Sequence, residues 1–368
     1  MLDKLKTIPL NDFHLENGAK FIPFAGYSMP INYSSGIINE HIQVRNKSGV
    51  FDVSHMGQIL IDFNNNNINN LEKFIPLKLN KLKINKSNYS FLLNSNGCVI
   101  DDIIISILHF ENNKKISIVY NASRKEIVEN IFKNNLDNYN LLSNNSLFAI
   151  QGPLSYEILS KIINIRSEMK FLDIEFLKYK NNNLILSRSG YTGEDGFELS
   201  VPNDLAENFL KNILISKDCN LCGLGSRDSL RIEAGLCLYG NELNENLTPI
   251  DANMTWALDI DRIKSNNLNG NAKLKNQLIN KPKFIKIGMI AKNKVILRKD
   301  MTLIDKNNNN LGRITSGCYS PMLSKSIALG YIDINYDLNE NFYCNIRNNL
   351  ECINYSKLPF VNKNYKRS

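Results

Sequence analysis

Short runs of apolar residues, many of them alternating with polar ones, dominate the chain and predict strands rather than long helices. Residues 89–93, the turn residues 94–97 and the apolar run 98–108 predict a β-hairpin. Residues 115–120 and 146–150 are further strand candidates of the usual length. The first half of the chain is therefore expected to be rich in β-structure.

Helical periodicity appears between these strands. In residues 124–134 the apolar side chains fall on one face, and Ser123 is the expected N-cap. Residues 227–236 predict another helix, with Ser226 as its N-cap and Gly235 near its end. Two more amphipathic helices are predicted, one from Pro153 and one over residues 205–214.

The pattern changes after a stretch rich in lysine and asparagine, residues 264–283. Short, evenly spaced strand candidates follow, and they predict a separate all-β module. We therefore expect two regions, residues 1–280 and residues 281–368. The strand candidates of the second region are residues 284–290, 295–297, 312–315, 327–332 and 342–346.

Composition excludes several classes of protein. The 368 residues are 43% hydrophobic and 22% charged, which is typical of a globular protein, and no apolar run approaches the ~20 residues of a membrane helix. The net charge of +8 is too mild to indicate nucleic-acid binding by itself, and no nucleic-acid module is visible. Seven mostly scattered cysteines and a start without a signal or transit pattern predict a soluble protein of a reducing compartment.

Two adjacent acids, Asp101 and Asp102, interrupt the most apolar strand candidate. Neighbouring side chains on a strand point to opposite faces, so one acid can face a pocket while the other does not. A carboxylate that is partly desolvated in a pocket has a shifted pKa and can transfer a proton. In the alternative interpretation the acids only cap the strand at the surface. The pattern by itself leaves both interpretations open.

Two glycine-containing segments supply further candidates. In residues 187–199 three glycines recur at every third position, which allows the backbone to approach a ligand and places Glu198 near the start of a strand. In residues 225–240, Arg227 and Arg231 lie on one helix face, where an arginine can bind a ligand carboxylate. A plain β-turn and an intrahelical ion-pair face are the alternatives.

Patterns for metal binding and nucleophilic catalysis are weak. Cys219 and Cys222 have the spacing of half a zinc site, but no second pair accompanies them. The four histidines lack metal-binding spacing, and a structural role is the simpler interpretation of His55. No G-x-S-x-G nucleophile motif is present, although a triad of distant residues stays open. The sequence therefore predicts no metal site.

A series of motifs runs in order along the whole chain. They are PFAGYSMP at 23–30, GVFDVSHMG at 49–57, GCVIDD at 97–102, GYTGEDG at 190–196, RDSLRIEAG at 227–235, SG and SP at 316–321, and PFV followed by NY at 359–365. Each motif is weak alone. Together and in register, they resemble the aminomethyltransferase (T-protein) family of the glycine cleavage system, almost from end to end.

This resemblance implies an α+β fold in which three modules surround a central folate-binding hole, the last module being a β-barrel. It implies transfer of the methylene of an aminomethyl group, carried on the dihydrolipoyl arm of the H-protein, to tetrahydrofolate. The products would be ammonia and 5,10-methylenetetrahydrofolate. Tetrahydrofolate is therefore the expected co-substrate and lipoylated H-protein the expected partner, with no metal, nucleic acid or membrane.

The resemblance also assigns residues. It makes Asp101 the central catalytic acid, which would lie beside the pterin, orient tetrahydrofolate and assist attack by its N-5. Glu198 would accept hydrogen bonds from the pterin, while Arg227 and Tyr365 would contact the folate. The further pocket positions that it implies are Asn121, Met56 and Tyr239.

Two departures and three rival classes accompany the resemblance. Cys98 stands where the family usually has a second glycine, which predicts a less permissive turn, and Tyr27 replaces a usual tryptophan.

The rivals are an iron–sulfur repair factor, the folate-binding half of a dimethylglycine or sarcosine dehydrogenase, and a folate-binding protein without turnover. The complete motif set and the absence of a dinucleotide fingerprint favour the transferase. The expected location is a bacterial cytoplasm, or the mitochondrial matrix in a eukaryote.

Overall fold

The computed structural model describes residues 5–110, 113–265, 267–347 and 349–367. Its strands are β1 (Lys6–Thr7), β2 (Lys20–Phe24), β3 (Tyr27–Asn32), β4 (Ser48–Asp52), β5 (Gly57–Asp62), β6 (Lys86–Leu93), β7 (Val99–Phe110), β8 (Asn113–Tyr120), β9 (Tyr139–Leu141), β10 (Asn145–Gln151), β11 (Ile174–Tyr179), β12 (Asn182–Ser187), β13 (Gly196–Pro202), β14 (Cys219–Leu221), β15 (Phe284–Ala291), β16 (Thr302–Ile304), β17 (Asn310–Ser320), β18 (Lys325–Asp333), β19 (Phe342–Ile346) and β20 (Asn349–Ser356).

The helices lie between and after these strands. They are α1 (Asn11–Glu16), α2 (Ile37–Asn46), α3 (Asn65–Leu71), α4 (Lys125–Asn135), α5 (Ser155–Ser160), α6 (Asn203–Leu214), α7 (Leu224–Glu233), α8 (Ile260–Lys264) and α9 (Asn271–Asn280). Within the described ranges, no helix is long and apolar enough to cross a membrane.

Two largely antiparallel sheets build the first part of the molecule. The first sheet has the strand order β6–β7–β8–β5–β9, and its outer face packs on α3 and α4. The second sheet has the order β11–β12–β13–β10–β4–β14, and its outer face packs on α5 and α6. The other face of each sheet is turned toward its counterpart, so the strands project side chains from both sides into one shared space.

The C-terminal strands close into a barrel of order β15–β18–β17–β16–β19–β20. Its interior is filled by apolar side chains such as Met289, Leu303, Ile314 and Phe342, each of them 0% exposed. A small sheet of order β1–β3–β2 completes the N-terminal part. The α+β fold with a C-terminal β-barrel confirms the predicted fold class.

The hairpin predicted over residues 89–108 is confirmed as β6 and β7, with Tyr89 opposite Ile104. The predicted helices at 124–134, 205–214 and 227–236 correspond to α4, α6 and α7, and the helix predicted from Pro153 begins at Ser155. These segments share strong periodicity, which is why local patterns located them.

Some local predictions are wrong because tertiary contacts override them. Helix α7 begins at Leu224, so Ser226 lies inside it and donates its hydroxyl to Glu40 at 3.0 Å. Helix α4 has Arg124 as its N-cap residue rather than Ser123, without a side-chain cap. Residues 295–297 form irregular chain instead of a strand. The sequence pattern predicts no strand at the positions of β16 and β20, because polar residues interrupt the alternation of apolar and polar positions there.

A buried hydrogen-bond network around Glu233 connects the modules, and we call it the hub. The Glu233 carboxylate accepts from Arg45 Nη2 at 2.7 Å, from His41 Nε2 at 3.0 Å and from Ser320 Oγ at 2.5 Å. Arg45 Nη1 also donates to Glu194 at 2.8 Å. Burial by itself raises the pKa of Glu233, but the bonds from His41, Ser320 and Arg45 lower it overall. Glu233 of α7 thus connects directly to α2 and to the barrel, and through Arg45 to the 190–196 segment.

Loss of this hub should destabilise the whole chain. We expect Glu233→Ala to lower the free energy of unfolding by about 3–5 kcal/mol, because it leaves buried Arg45 and His41 without their shared acceptor. Urea denaturation followed by circular dichroism measures the change.

The matched control is Glu207→Ala, which breaks an exposed i,i+4 pair with Lys211. Exposed pairs of this kind contribute little, so this variant should unfold close to the wild type. A Glu233→Ala variant as stable as the control would contradict the assignment of the hub.

Candidate functional site

The two acids of β7 point to opposite faces of the first sheet. Asp102 shares its face with Ile104 and Ser106, which project toward the second sheet, and it is partly exposed. Asp101 shares its face with Ile103, which packs in the core beneath α3 and α4, and it is 0% exposed. Alternation along the strand therefore turns Asp102, and not Asp101, toward the space between the sheets.

Asn121, the residue after β8, donates hydrogen bonds to both acids. Its Nδ2 donates to Asp101 Oδ1 at 2.7 Å and to Asp102 Oδ1 at 2.8 Å. Its backbone N–H donates to Asp101 Oδ2 at 2.9 Å. On the other side Tyr89 Oη donates to Asp102 Oδ2 at 2.9 Å. The orientation of the acid pair is therefore fixed from both sides of β7, by Tyr89 on β6 and by Asn121 just after β8.

Burial determines the protonation of the pair. Burial raises the pKa of Asp102 to about 6, against hydrogen bonds from Tyr89 and Asn121 that lower it. Burial also raises the pKa of Asp101 well above its usual value, and the charge of Asp102 raises it further. The pair therefore retains a proton into the neutral range, a property of carboxyls that transfer protons.

Glu198 lies on the facing sheet, in β13, and it is partly exposed. Ser189 Oγ donates to its Oε2 at 2.8 Å. Next to it, a cavity of ≈ 30 Å³ extends between the sheets and has space for about one water molecule. The serines that wall this cavity are Ser87, Ser106, Ser117, Ser187 and Ser200.

Arg227 extends from α7 over the ring of Tyr191, with its Cζ 4.7 Å from the ring centroid. Its Nη1 is buried and has no hydrogen-bond partner among the described residues. Burial lowers the pKa of Arg227, whereas the nearby charge of Glu198 raises it. A buried donor without an acceptor costs free energy, so this atom is suited to bind a ligand oxygen or nitrogen.

His55 is a second group with an unused polar atom. It is 3% exposed, and its Nδ1 lacks a hydrogen-bond partner in the part of the chain that the structure describes. Burial and the charge of Arg227 lower its pKa to about 3, so the imidazole is neutral. The sequence favoured a structural role for this histidine. The structure adds a free ring nitrogen within electrostatic reach of Arg227.

Electrostatic and packing interactions link the remaining predicted positions to Glu198, the two acids and the cavity. Tyr365 stacks on Phe171 with the ring centroids 4.0 Å apart. Burial raises the pKa of Tyr365, and the charges of Glu194 and Glu198 raise it further. Tyr239 donates to the carbonyl of Val99 at 3.3 Å and lies under the guanidinium of Arg124. Met56 and Val119 pack against the same apolar cluster, and Val119 also lines the cavity.

Several sequence alternatives are resolved by these contacts. Arg231 pairs with Glu242 at 2.9 Å while 1% of its side chain is exposed, so its role is structural. The positive φ of the turn before the acids falls on Gly97, at 71°, and not on Cys98, so cysteine is accommodated there. No cluster of three or more potential metal ligands occurs in the described ranges.

Two aromatic contributors were missed by sequence reasoning, namely Tyr89 and Tyr191. Tyr89 could have been found once the register is fixed, because it pairs with Ile104 across the predicted hairpin and so lies diagonal to Asp102 on the same face. Tyr191 lies in a glycine-rich segment without periodicity, so no local signal indicates which way it points.

Comparisons with known proteins cover almost the whole chain. The family profile "GCVT N-terminal domain" matches residues 10–262, and "Glycine cleavage T-protein C-terminal barrel domain" matches residues 283–362. The chain is 35% identical to the probable mitochondrial aminomethyltransferase of Schizosaccharomyces pombe, over 98% of this chain and 94% of the relative. It is 37% identical to the aminomethyltransferase of Thermoanaerobacter pseudethanolicus, over 100% of both chains.

A solved structure has the same fold. The crystal structure of glycine cleavage system aminomethyltransferase T from Bartonella henselae superimposes with a TM-score of 0.92 at 31% identity, over 99% of this chain and 100% of that chain. The fold, the ordered motifs and the full-length relatives agree. The chain belongs to the glycine cleavage T-protein family of aminomethyltransferases.

Proposed function

We propose that this aminomethyltransferase takes an aminomethyl group from the dihydrolipoyl arm of a lipoylated H-protein and transfers its methylene carbon to tetrahydrofolate. Ammonia, 5,10-methylenetetrahydrofolate and the free dihydrolipoyl arm are the products. The observation that carries the proposal is the combination of Asp102, whose pKa burial raises to about 6, Glu198 on the facing sheet, and the buried Nη1 of Arg227, which has no hydrogen-bond partner among the described residues. Substrate positioning and one well-placed acid suit a transfer of this kind.

The exposure of the two acids changes which of them should touch substrate. The resemblance assigned this role to Asp101, but Asp101 is 0% exposed and bound by Asn121 on the core side of β7. Asp102 is the acid that faces the shared space. We therefore assign the proton-transfer role to Asp102, and to Asp101 the role of a positioning residue that acts through Asn121.

Proton balance defines the work of Asp102. The methylene carbon gains bonds to two folate nitrogens and loses its bonds to sulfur and to the amine nitrogen. Two protons therefore leave the folate nitrogens, while the thiolate and the departing amine each take up one. Asp102, ionised above pH 6, accepts a proton from an attacking nitrogen and returns it to a departing group.

Residues on the other walls would hold tetrahydrofolate. Glu198 offers an acceptor for the N–H groups of a pterin, and the free Nη1 of Arg227 offers a donor for an anionic or carbonyl oxygen. Tyr365 supplies a flat surface beside Glu198. Asn121, Met56 and Tyr239 complete the surroundings of the substrate in this proposal.

The partner follows from the same reaction. A lipoyl arm must enter the site, and the net charge of +8 would attract a carrier that is acidic, as the family resemblance implies.

The relatives include mitochondrial and bacterial proteins. We propose the bacterial cytoplasm as the location, or the mitochondrial matrix in a eukaryotic cell.

A pair of matched variants tests the acid assignment. We expect Asp102→Asn to reduce kcat by about 100-fold or more, because it removes the group that exchanges protons with the substrate. Asp101→Asn makes the same change one residue away and should reduce kcat less. The measurement is the initial rate of 5,10-methylenetetrahydrofolate formation from tetrahydrofolate and aminomethyl-loaded H-protein.

Two results would contradict parts of this proposal. A larger loss in Asp101→Asn than in Asp102→Asn would restore Asp101 as the reacting acid. Folate binding by the wild type without any turnover would assign the chain to the non-catalytic class.

The pKa of Asp102 predicts a pH profile. If Asp102 must be ionised, kcat/KM should rise with pH up to about 6 and level off above it. The hydroxyl of Tyr89 lowers this pKa, so Tyr89→Phe should move the inflection to higher pH. Rates measured from pH 5 to pH 9 give both curves, and an inflection that stays in place in Tyr89→Phe would count against Asp102.

A further inference from the structure

Lys286 and Cys237 form a buried amine–thiol pair that the proposed reaction does not use. The two residues are 5% and 4% exposed, and Lys286 Nζ donates to Cys237 Sγ at 2.8 Å. Within the described ranges the Nζ of Lys286 has no other hydrogen bond and no ion pair. A lysine is almost never buried unless it is paired with an acid, so a thiol as its polar partner is unusual.

The pair connects two parts of the fold beside the candidate site. Lys286 lies on β15 of the barrel, whereas Cys237 lies just after α7, 49 residues earlier in the chain. The carbonyl of Cys237 accepts from the hydroxyl of Tyr191, and the guanidinium of Arg227 lies over the Tyr191 ring. A covalent bond at this pair would therefore join the barrel to the part of the chain that contacts Tyr191.

The contact has the geometry of a reacting pair. A cysteine thiolate reacts with a hydroperoxide to give a sulfenic acid, which condenses with a nearby nitrogen to give a sulfenamide. The nitrogen of Lys286 is already closer to the sulfur than the ~3–3.5 Å that separates reacting atoms in a near-attack arrangement. Burial raises the pKa of Cys237, while the charge and the hydrogen bond of Lys286 lower it, so the lysine favours the thiolate that the first step requires.

We propose that Cys237 and Lys286 form a redox modification site, at which a hydroperoxide converts the contact into a covalent sulfur–nitrogen cross-link that a thiol reductant reverses. This site is independent of the folate reaction, because it uses none of the residues that would hold or transform the substrate. It gives the barrel a covalent attachment to the first part of the molecule under oxidising conditions.

One hydrogen peroxide is sufficient for both steps. The amine of Lys286 takes the thiol proton and the thiolate attacks a peroxide oxygen. The S–O bond forms, the O–O bond breaks, and the departing hydroxide takes the proton from the lysine and leaves as water. The neutral amine then attacks the sulfur. The S–N bond forms, the S–O bond breaks, and hydroxide leaves with an amine proton as a second water. The sulfur loses two electrons and the peroxide gains them.

Mass spectrometry of peptides from the native full-length chain tests this site. After treatment with hydrogen peroxide and alkylation of free thiols, the expected main product at Cys237 is a peptide joined to that of Lys286, with two hydrogens fewer than the separate peptides. Dithiothreitol should restore both peptides by supplying two electrons and two protons. Met322 is 45% exposed, and its conversion to the sulfoxide shows that the dose of peroxide was sufficient.

The melting temperature gives a second readout. The cross-link closes a loop between residues that are distant in sequence, so the treated chain should have a Tm about 3–5 °C higher. Reduction with dithiothreitol should remove this shift. The variant C237S, treated in the same way, should show no rise in Tm, which separates the effect of the cross-link from that of oxidation elsewhere.

Lys286→Arg is the matched variant, because it keeps a cation at this position but removes the nucleophilic amine. Its Cys237 should form no cross-link and should proceed to the sulfinic acid, which dithiothreitol does not reverse. Cys222 is an internal control: it is 2% exposed, and its Sγ has the carbonyl oxygens of Glu40 and Asn220 as polar neighbours instead of an amine. It should form no cross-link in any of the chains.

The wild-type chain alone decides the outcome. A Cys237 that stays a free thiol at a dose that fully oxidises Met322 would overturn the proposal. So would a Cys237 that becomes a sulfinic acid without any cross-link to Lys286. A cross-link that forms but leaves Tm unchanged would contradict the attachment of the barrel.

Discussion

Arg45 and Glu233 form an ion pair whose side chains are 3% and 0% exposed, and the network around it joins α2, α7, the glycine-rich segment and the barrel. Glu233 also accepts through its backbone carbonyl from Phe360 and Val361, which sets the path of the C-terminal segment. Arg45 also forms an ion pair with Glu194, a residue of the glycine-rich segment. The same network therefore positions Tyr191, Tyr365 and the barrel relative to the two sheets, although no member of the ion pair faces the substrate space.

The site combines two carboxyls whose pKa values are raised by burial with a buried guanidinium, that of Arg227, whose Nη1 has no hydrogen-bond partner among the described residues. Asp101 and Asp102 are costly when both are ionised, because they are buried next to each other and share one amide. Arg227 is costly for the opposite reason, because its buried Nη1 has no hydrogen-bond partner among the described residues, although the charge of Glu198 lies nearby. Such uncompensated groups lower the stability of the protein without substrate. A bound substrate would satisfy them, because its N–H groups would donate to the carboxyls and its carboxylates would accept from the guanidinium.

Sequence patterns located most of the elements but not their mutual orientation. The hairpin that carries the acids and most strands of the barrel follow from alternation and turn residues, and the order of the motifs indicated the family. Strand alternation also showed that the two acids point apart, but not which one faces inward, because that depends on the sheet packed against β7. The hydrogen bond from the N–H of Asn364 to the carbonyl of Gly193 joins residues far apart in sequence, so no local pattern contains it. The division after residue 280 stays a prediction.

The most direct test follows the transferred carbon itself. H-protein loaded with a 13C-labelled aminomethyl group is mixed with the purified chain and tetrahydrofolate, and the label is observed by NMR while ammonia and free thiols are counted. The account predicts that the label appears as the methylene of 5,10-methylenetetrahydrofolate, with one ammonia and one free dihydrolipoyl arm for each label transferred. A label that stays on the lipoyl arm, or leaves it at the same rate without tetrahydrofolate, would contradict the account.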